Sequence, residues 1–149
     1  MNNDKNYKIM FVCHGNICRS PMAEFVFKDI VKNDGKENCF IVRSCATSNE
    51  ETGNPVYPPA RAELEKHGIS CDGKFAVRLL PSDYEKYDLF VCMDSAIRLV
   101  FSAATRKGKL KNFSVLQAPI ATLPIRGITA DLTKLTTIFL PGAKRCLLI

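Results

Sequence analysis

No stretch of this sequence approaches the unbroken apolar run needed to span a bilayer, so no membrane partner is expected. An export signal is missing as well. Met1 to Lys8 is polar with no apolar core, which predicts a cytoplasmic protein. A paired-cysteine pattern is also absent. The seven cysteines (Cys13, Cys18, Cys39, Cys45, Cys71, Cys92 and Cys146) are odd in number and the chain is not short, which argues against a disulfide framework and for reduced thiols. Cys39, Cys45, Cys71, Cys92 and Cys146 show no metal-ligand spacing, so no metal or other cofactor is expected. There is no internal repeat and no low-complexity segment. Acidic residues nearly vanish from the last third. Through Ile97, 12 Lys and Arg face 14 Asp and Glu; from Arg98 onward, 9 basic residues face the single acid Asp131. The whole net charge of +6 therefore resides in the tail.

What is present suits one domain over residues 1–149, long enough to bury a core. Lys8 to Cys13 (KIMFVC) reads as a buried strand. Gly15 and Asn16 break it, and Ser20-Pro21 opens a helix whose apolar residues Met22, Phe25, Val26, Ile30 and Val31 recur near helical spacing. Phe40 to Val42 is a second strand closed by Ser44. Residues 47–59 form a surface loop, and Ala60 to His67 a helix stopped by Gly68. Tyr87 to Met93 is a third buried strand. Strand and helix alternate, which predicts an α/β domain with a parallel sheet. Beyond Arg98 the pattern degrades: Lys111 to Leu116 passes for a strand, but Pro119 and Pro124 interrupt the chain after it.

The chemistry concentrates in VCHGNICRSP, Val12 to Pro21. A Cys-x5-Arg spacing alone arises by chance. Placed between a buried strand and a helix start, with Gly-Asn inside, it becomes specific. The chain must turn so that the backbone N–H groups of His14, Gly15, Asn16, Ile17 and Cys18 face one concavity, an anion nest. The helix adds its positive N-terminal end, and Gly15 allows a tight backbone path. Arg19 offers a planar fork of donors to two phosphate oxygens. A thiol in this field is expected to lose its proton readily and act as thiolate. Cys13 would then attack the phosphorus of an aryl phosphate and carry a phosphocysteine intermediate, with Arg19 and the amides holding the equatorial oxygens. Ser20 is placed to hydrogen-bond the Cys13 sulfur, and Asn16 to pin the loop with Ser44 as its partner. Cys18 is either a small buried thiol or a redox partner for Cys13.

The segment CHGNICRSPMAE, Cys13 to Glu24, closely resembles the signature of low-molecular-weight protein tyrosine phosphatases. The similarity continues through SCATSNEETGNP (Ser44 to Pro55), HGI at His67 to Ile69 and CMD at Cys92 to Asp94. This resemblance implies a three-layer α/β fold with a four-stranded parallel sheet flanked by helices, no metal, and hydrolysis of phosphotyrosine in a protein or of a small aryl phosphate, with inorganic phosphate or vanadate as inhibitor. It implies Cys13 as nucleophile, Arg19 as transition-state clamp, and Asn16, Ser20 and Ser44 as the supporting network. His67 and Asp94 match a structural hydrogen-bonded pair. Glu50 and Glu51 fall in the loop lining the cleft mouth, where a solvated acidic loop is an equal reading. The related arsenate reductases usually carry threonine after the nucleophile, glutamine where Pro21 stands and a later cysteine pair, which Cys92 alone does not make. A phosphate-binding pseudoenzyme is a third reading.

One departure stands out. The family's general acid is the aspartate of a late D-P-[WYF]-Y motif, and this chain has no Asp-Pro pair. Asp131 lies in TADLT and matches nothing in that motif. The tail reads instead as a translation in the wrong frame. Taking the third base of each codon with the first two of the next, Ala121 to Ile128 permits D-I-A-D-P-W-Y, and the stretches on either side permit a strand and an amphipathic final helix like those of the family. The shift begins near Ala96-Ile97, where the charge balance jumps. On this reading residues 98–149 are an aberrant basic tail, the last strand and helix are in doubt, and no nucleic-acid partner is needed to explain the charge.

Overall fold

The computed structural model of the protein describes residues 6–99 and 114–117. Its centre is β1 (Tyr7–Cys13), whose residues from Ile9 onward are all buried. A run this apolar cannot face water on either side, and it pairs with a strand on each edge. β2 (Phe40–Ala46) and β3 (Leu89–Cys92) both run parallel to it, and β4 (Ser114–Gln117) runs parallel to β3, giving the order β2-β1-β3-β4. Parallel neighbours need long crossovers, and the segments 14–39 and 47–88 supply the first two.

Helix α1 (Arg19–Asn33) packs on β1 and β2. Its inner face carries Ala23, Phe27 and Val31 at helical spacing. Phe27 seats edge-on against Phe40 at 5.6 Å and tilted against Phe11 at 5.9 Å. Helix α2 (Pro58–Lys66) begins with two prolines, whose fixed φ suits a first turn. It buries Ala60 and Leu64 and ends at His67, with Gly68 at φ +72 making the turn out of it. The short helix α3 (Asp83–Lys86) leads into β3, and Tyr84 and Tyr87 flank the Phe90 ring.

The elements depart from the sequence reading chiefly at their ends. β2 runs on through Ser44 to Ala46 rather than closing at Ser44. That extension pairs Cys13 with Ala46 and carries Ser44 beneath the loop after β1. In the tail, a strand is present at Ser114–Gln117; the final helix that the sequence reading left in doubt, and Asp131, fall outside the described residues. The chain passes from β1 to β2 on one side, then returns across β1 to β3 on the other. In open parallel sheets a crevice opens at the carboxyl end of the strand where the order reverses. Here that strand is β1, and the residue at its end is Cys13.

Candidate active site

Residues 13–19 curl around a cleft, with Glu50 and Glu51 across its mouth. Cys13, 2% exposed, sits at its floor. Its sulfur lies 2.9 Å from Ser20 Oγ and accepts the Asn16 backbone N–H at 3.2 Å. No side chain caps the N-terminus of α1 and no acid occupies its first turn, so the helix presents its positive end to the cleft. Extension of β1 holds the loop in register, through Thr47 N–H to Cys13 O at 3.0 Å and Ser48 N–H to His14 O at 3.1 Å. Ile17 O accepts the Tyr57 N–H at 2.7 Å from the far side.

Asn16, not Gly15, takes the left-handed backbone conformation of the loop, at φ +58. Asparagine tolerates this region better than most residues. Its side chain then becomes the hub beneath the loop. Nδ2 donates to Ser20 Oγ at 2.8 Å and to Ser44 Oγ at 2.9 Å, while Oδ1 accepts the Val77 N–H at 3.1 Å. Gly15 matters for a different reason. A Cβ there would meet Glu51 Cγ at 3.2 Å, closer than an ordinary contact.

Arg19 donates from Nη1 to Asp94 Oδ2 at 2.6 Å, both side chains being 30% exposed. Burial pushes the Asp94 carboxyl up. Hydrogen bonds from the Ile97 N–H and from Arg19, together with the guanidinium charge, outweigh it and hold the carboxyl below the usual range. Asp94 is therefore an anion at neutral pH, suited to orient Arg19 and unsuited to donate a proton. The sequence reading expected Asp94 to pair with His67; the hydrogen bond it makes here is with Arg19. His67 closes α2 and lies 3.6 Å from Glu63 Oε1, one turn back. Asp94, just beyond β3, is taken by the loop arginine instead.

Burial pushes the Cys18 thiol up, the nearby Cys13 adds to this, and Arg19 offsets part of it. No disulfide joins any two of the six cysteines of the described residues. At the mouth, His14 Nε2 and Glu50 Oε2 are 3.2 Å apart and largely exposed, and Glu51 accepts the Asn54 amide at 2.7 Å. Among the described residues no cluster of His, Cys, Asp or Glu could hold a metal ion, and no helix is long and apolar enough to cross a membrane.

The sequence reading missed a buried ionic cluster below the site. Glu24 is 2% exposed on the inner face of α1 and accepts the Ser44 hydroxyl. Lys28 and Lys74 lie 2.6 and 3.2 Å from its carboxylate. The signal was available for Glu24, which falls on the same helical stripe as Ser20, Phe27 and Val31. Nothing local marks Lys74.

A thiol held by a hydroxyl and a backbone N–H, an arginine six residues on, and the start of a helix meet at one cleft. The family model of the low molecular weight phosphotyrosine protein phosphatase matches residues 8–116, and the chain belongs to that family. It is 40% identical over 88 residues to the low molecular weight phosphotyrosine protein phosphatase of Gallus gallus, covering 59% of this chain and 55% of that one. It is 37% identical over 87 residues to the low molecular weight protein-tyrosine-phosphatase YfkJ of Bacillus subtilis (strain 168), covering 58% and 56%. The chain thus spans a little over half the length of these curated relatives in alignment. The crystal structure of YfkJ superimposes with a TM-score of 0.80 at 23% identity, covering 95% of this chain and 99% of that one. That of SP-PTP, a low molecular weight protein tyrosine phosphatase from Streptococcus pyogenes, gives 0.75 at 27% identity, covering 89% and 92%.

Proposed function

We propose that the protein hydrolyses aryl phosphate monoesters, phosphotyrosine being the natural class, through a phosphocysteine intermediate on Cys13. The observation that carries this is the Cys13 sulfur, 2.9 Å from the Ser20 hydroxyl and accepting the Asn16 N–H, at the floor of a cleft that Arg19 borders. In the first step the sulfur attacks phosphorus in line with the departing phenol, while Arg19 and the loop amides hold the three equatorial oxygens. In the second, water attacks the phosphocysteine, and the Ser20 hydroxyl stabilises the departing thiolate. Inorganic phosphate and vanadate bind the same nest. The reaction needs no metal and takes place in the cytoplasm. Oxidation pairs Cys13 with Cys18.

The chain carries no Asp-Pro pair to protonate the leaving phenol, a service worth about a hundred- to ten-thousandfold. We therefore place its turnover below that of a chain with the full motif, and assign residues 98–149 to a one-base shift in the gene or its reading. Sequencing the gene across codons 94 to 100 tests this; an in-frame gene whose homologues carry the same tail would sink it.

Hydrolysis of para-nitrophenyl phosphate beside Cys13→Ser, with vanadate as competitor, tests the activity. Turnover that the substitution abolishes and vanadate blocks supports the reading. Vanadate binding without turnover favours a phosphate-binding pseudoenzyme, to which the missing acid points. Arsenate-dependent thiol oxidation would favour an arsenate reductase.

A further inference from the structure

A cleft that takes up an anion has two carboxylates at its mouth, Glu50 and Glu51, and the chemistry proposed above gives neither a purpose. Each has a polar neighbour. Glu50 Oε2 lies 3.2 Å from His14 Nε2, and Glu51 Oε2 accepts the Asn54 side-chain amide at 2.7 Å. The two differ in how close they come to the loop. Glu50 stands in solvent, whereas Glu51 is half-buried. The stem of Glu51 lies against the Gly15 backbone: a Cβ on Gly15 would meet its Cγ at 3.2 Å and its Cβ at 3.8 Å. The carboxyl carbon is one bond beyond that Cγ, so side-chain rotation alone decides whether the carboxylate faces the loop or turns away.

We propose that Asn54 is a positioning residue that holds the Glu51 carboxylate off the loop, where it would otherwise compete with the phosphoryl group. This rests on the loop at Cys13 binding phosphate, the reading given above. A carboxylate oxygen can only accept, so the Asn54 atom facing it is the amide nitrogen. The asparagine is itself fixed through its backbone. Its N–H donates to Glu51 O at 2.9 Å, closing a turn, and its carbonyl accepts the Ala76 N–H at 2.8 Å. Gly53 N–H donates to Ala76 O at 2.9 Å. Next along, Val77 gives its N–H to Asn16 Oδ1 and takes the Ala46 N–H on its carbonyl. The clamp on Glu51 is thus anchored to the framework that holds the loop.

Backbone N–H groups at a helix start bind a carboxylate as they bind phosphate. A tethered group presents itself at an effective concentration on the order of millimolar, so a released Glu51 is a standing competitor. A hydrogen bond to an ionised acceptor is stronger than one between neutral groups, and the bond from Asn54 keeps the side chain turned away.

The test compares the full chain with Asn54→Ala, Glu51→Gln and the double variant near neutral pH. Calorimetric binding of inorganic phosphate is the first readout. Asn54→Ala is expected to weaken phosphate binding by about three- to tenfold. With Glu51→Gln already present, the same substitution should change it by less than about twofold. Alkylation of Cys13, read by mass on its peptide, is the second readout. Iodoacetate is an anion and iodoacetamide a neutral reagent of similar size. A freed carboxylate repels only the first, so the rate of iodoacetate relative to iodoacetamide should fall by about threefold or more in Asn54→Ala and recover in the double variant. Unchanged phosphate affinity in Asn54→Ala overturns the proposal. Equal weakening with and without Glu51 does so too, as does equal slowing of both reagents, since either means that Asn54 acts only through the shape of the turn. Should Asn54→Ala not fold, Asn54→Leu has nearly the same shape as asparagine without the donor, and carries the same expectations. Neither readout needs turnover. A wild type that binds phosphate and alkylates at Cys13 without hydrolysing aryl phosphates sinks the phosphatase reading while leaving this test standing.

Discussion

Asn16 combines a left-handed backbone, burial to 1% exposure and three side-chain hydrogen bonds. Each bond contributes about 1 kcal/mol, and a side chain with a Cβ but no local hydrogen bond pays a further 1–2 kcal/mol or so in the left-handed region. Asn16→Ala is therefore expected to lower stability by roughly 3–5 kcal/mol. Asn16→Gly, which loses the bonds but not the backbone freedom, should fall short of that by about 1 kcal/mol. Urea denaturation of the two variants checks the order, and equal losses would show that the backbone conformation carries no strain. Asp94 offers a second test at this scale. Removing it in Asp94→Ala frees Arg19 to wander, and phosphate inhibition should weaken by on the order of ten- to a hundredfold. Its carboxyl is held below the usual range in the fold. The stability it adds is thus present above the unfolded carboxyl value and lost as pH falls through the lower folded one. For a pair this exposed that is about 1 kcal/mol or less. The gap between wild type and Asp94→Ala should be largest at neutral pH and close in acid, as acid titration of the two would show.

At the scale of elements, the site depends on three parallel strands ending together. β1 delivers Cys13, β2 delivers Ser44, and the turn after β3 delivers Asp94. Cys45 and Cys92 stand on either side of Val12, one on each neighbouring strand. Burial pushes the Cys92 thiol up to about 12, with the Asp94 charge adding to it, and pushes the Cys45 thiol up as well. Both should stay unlabelled by iodoacetamide near pH 8 in the folded protein and label fully in urea. Labelling of either in the native state, read by peptide mass, would mean that the strand ends open. The helices were legible before the strand ends were. The recurrence of Met22, Phe25, Val26, Ile30 and Val31 and the helix from Ala60, read two residues short of its start at Pro58, are local patterns, whereas the extension of β2 past Ser44 depends on pairing with β1, which no local pattern records.

For the molecule as a whole, the absence of an Asp-Pro acid makes a prediction that the overall rate alone does not. With nothing to protonate the leaving oxygen, turnover should depend steeply on the acidity of the departing alcohol. Para-nitrophenyl phosphate leaves without help; phenyl phosphate and phosphotyrosine do not. A rate ratio of about a hundred or more between the first and the others is expected. A ratio near one across the series would mean that another group donates the proton, and Asp94, held as an anion by Arg19, would not be that group.

The alternation of apolar strands with helices, the Cys13-to-Arg19 spacing and the helix start at Ser20 were determined by the sequence alone, because each is a pattern within a few residues. So was the change in character near residue 97, which is a matter of composition. The tertiary structure alone decided that Asn16 rather than Gly15 bends the loop and that Asp94 pairs with Arg19 and not with His67. It also decided that Lys74 reaches Glu24. These are choices among partners separated by tens of residues in the chain, and they depend on which strand ends the sheet brings together.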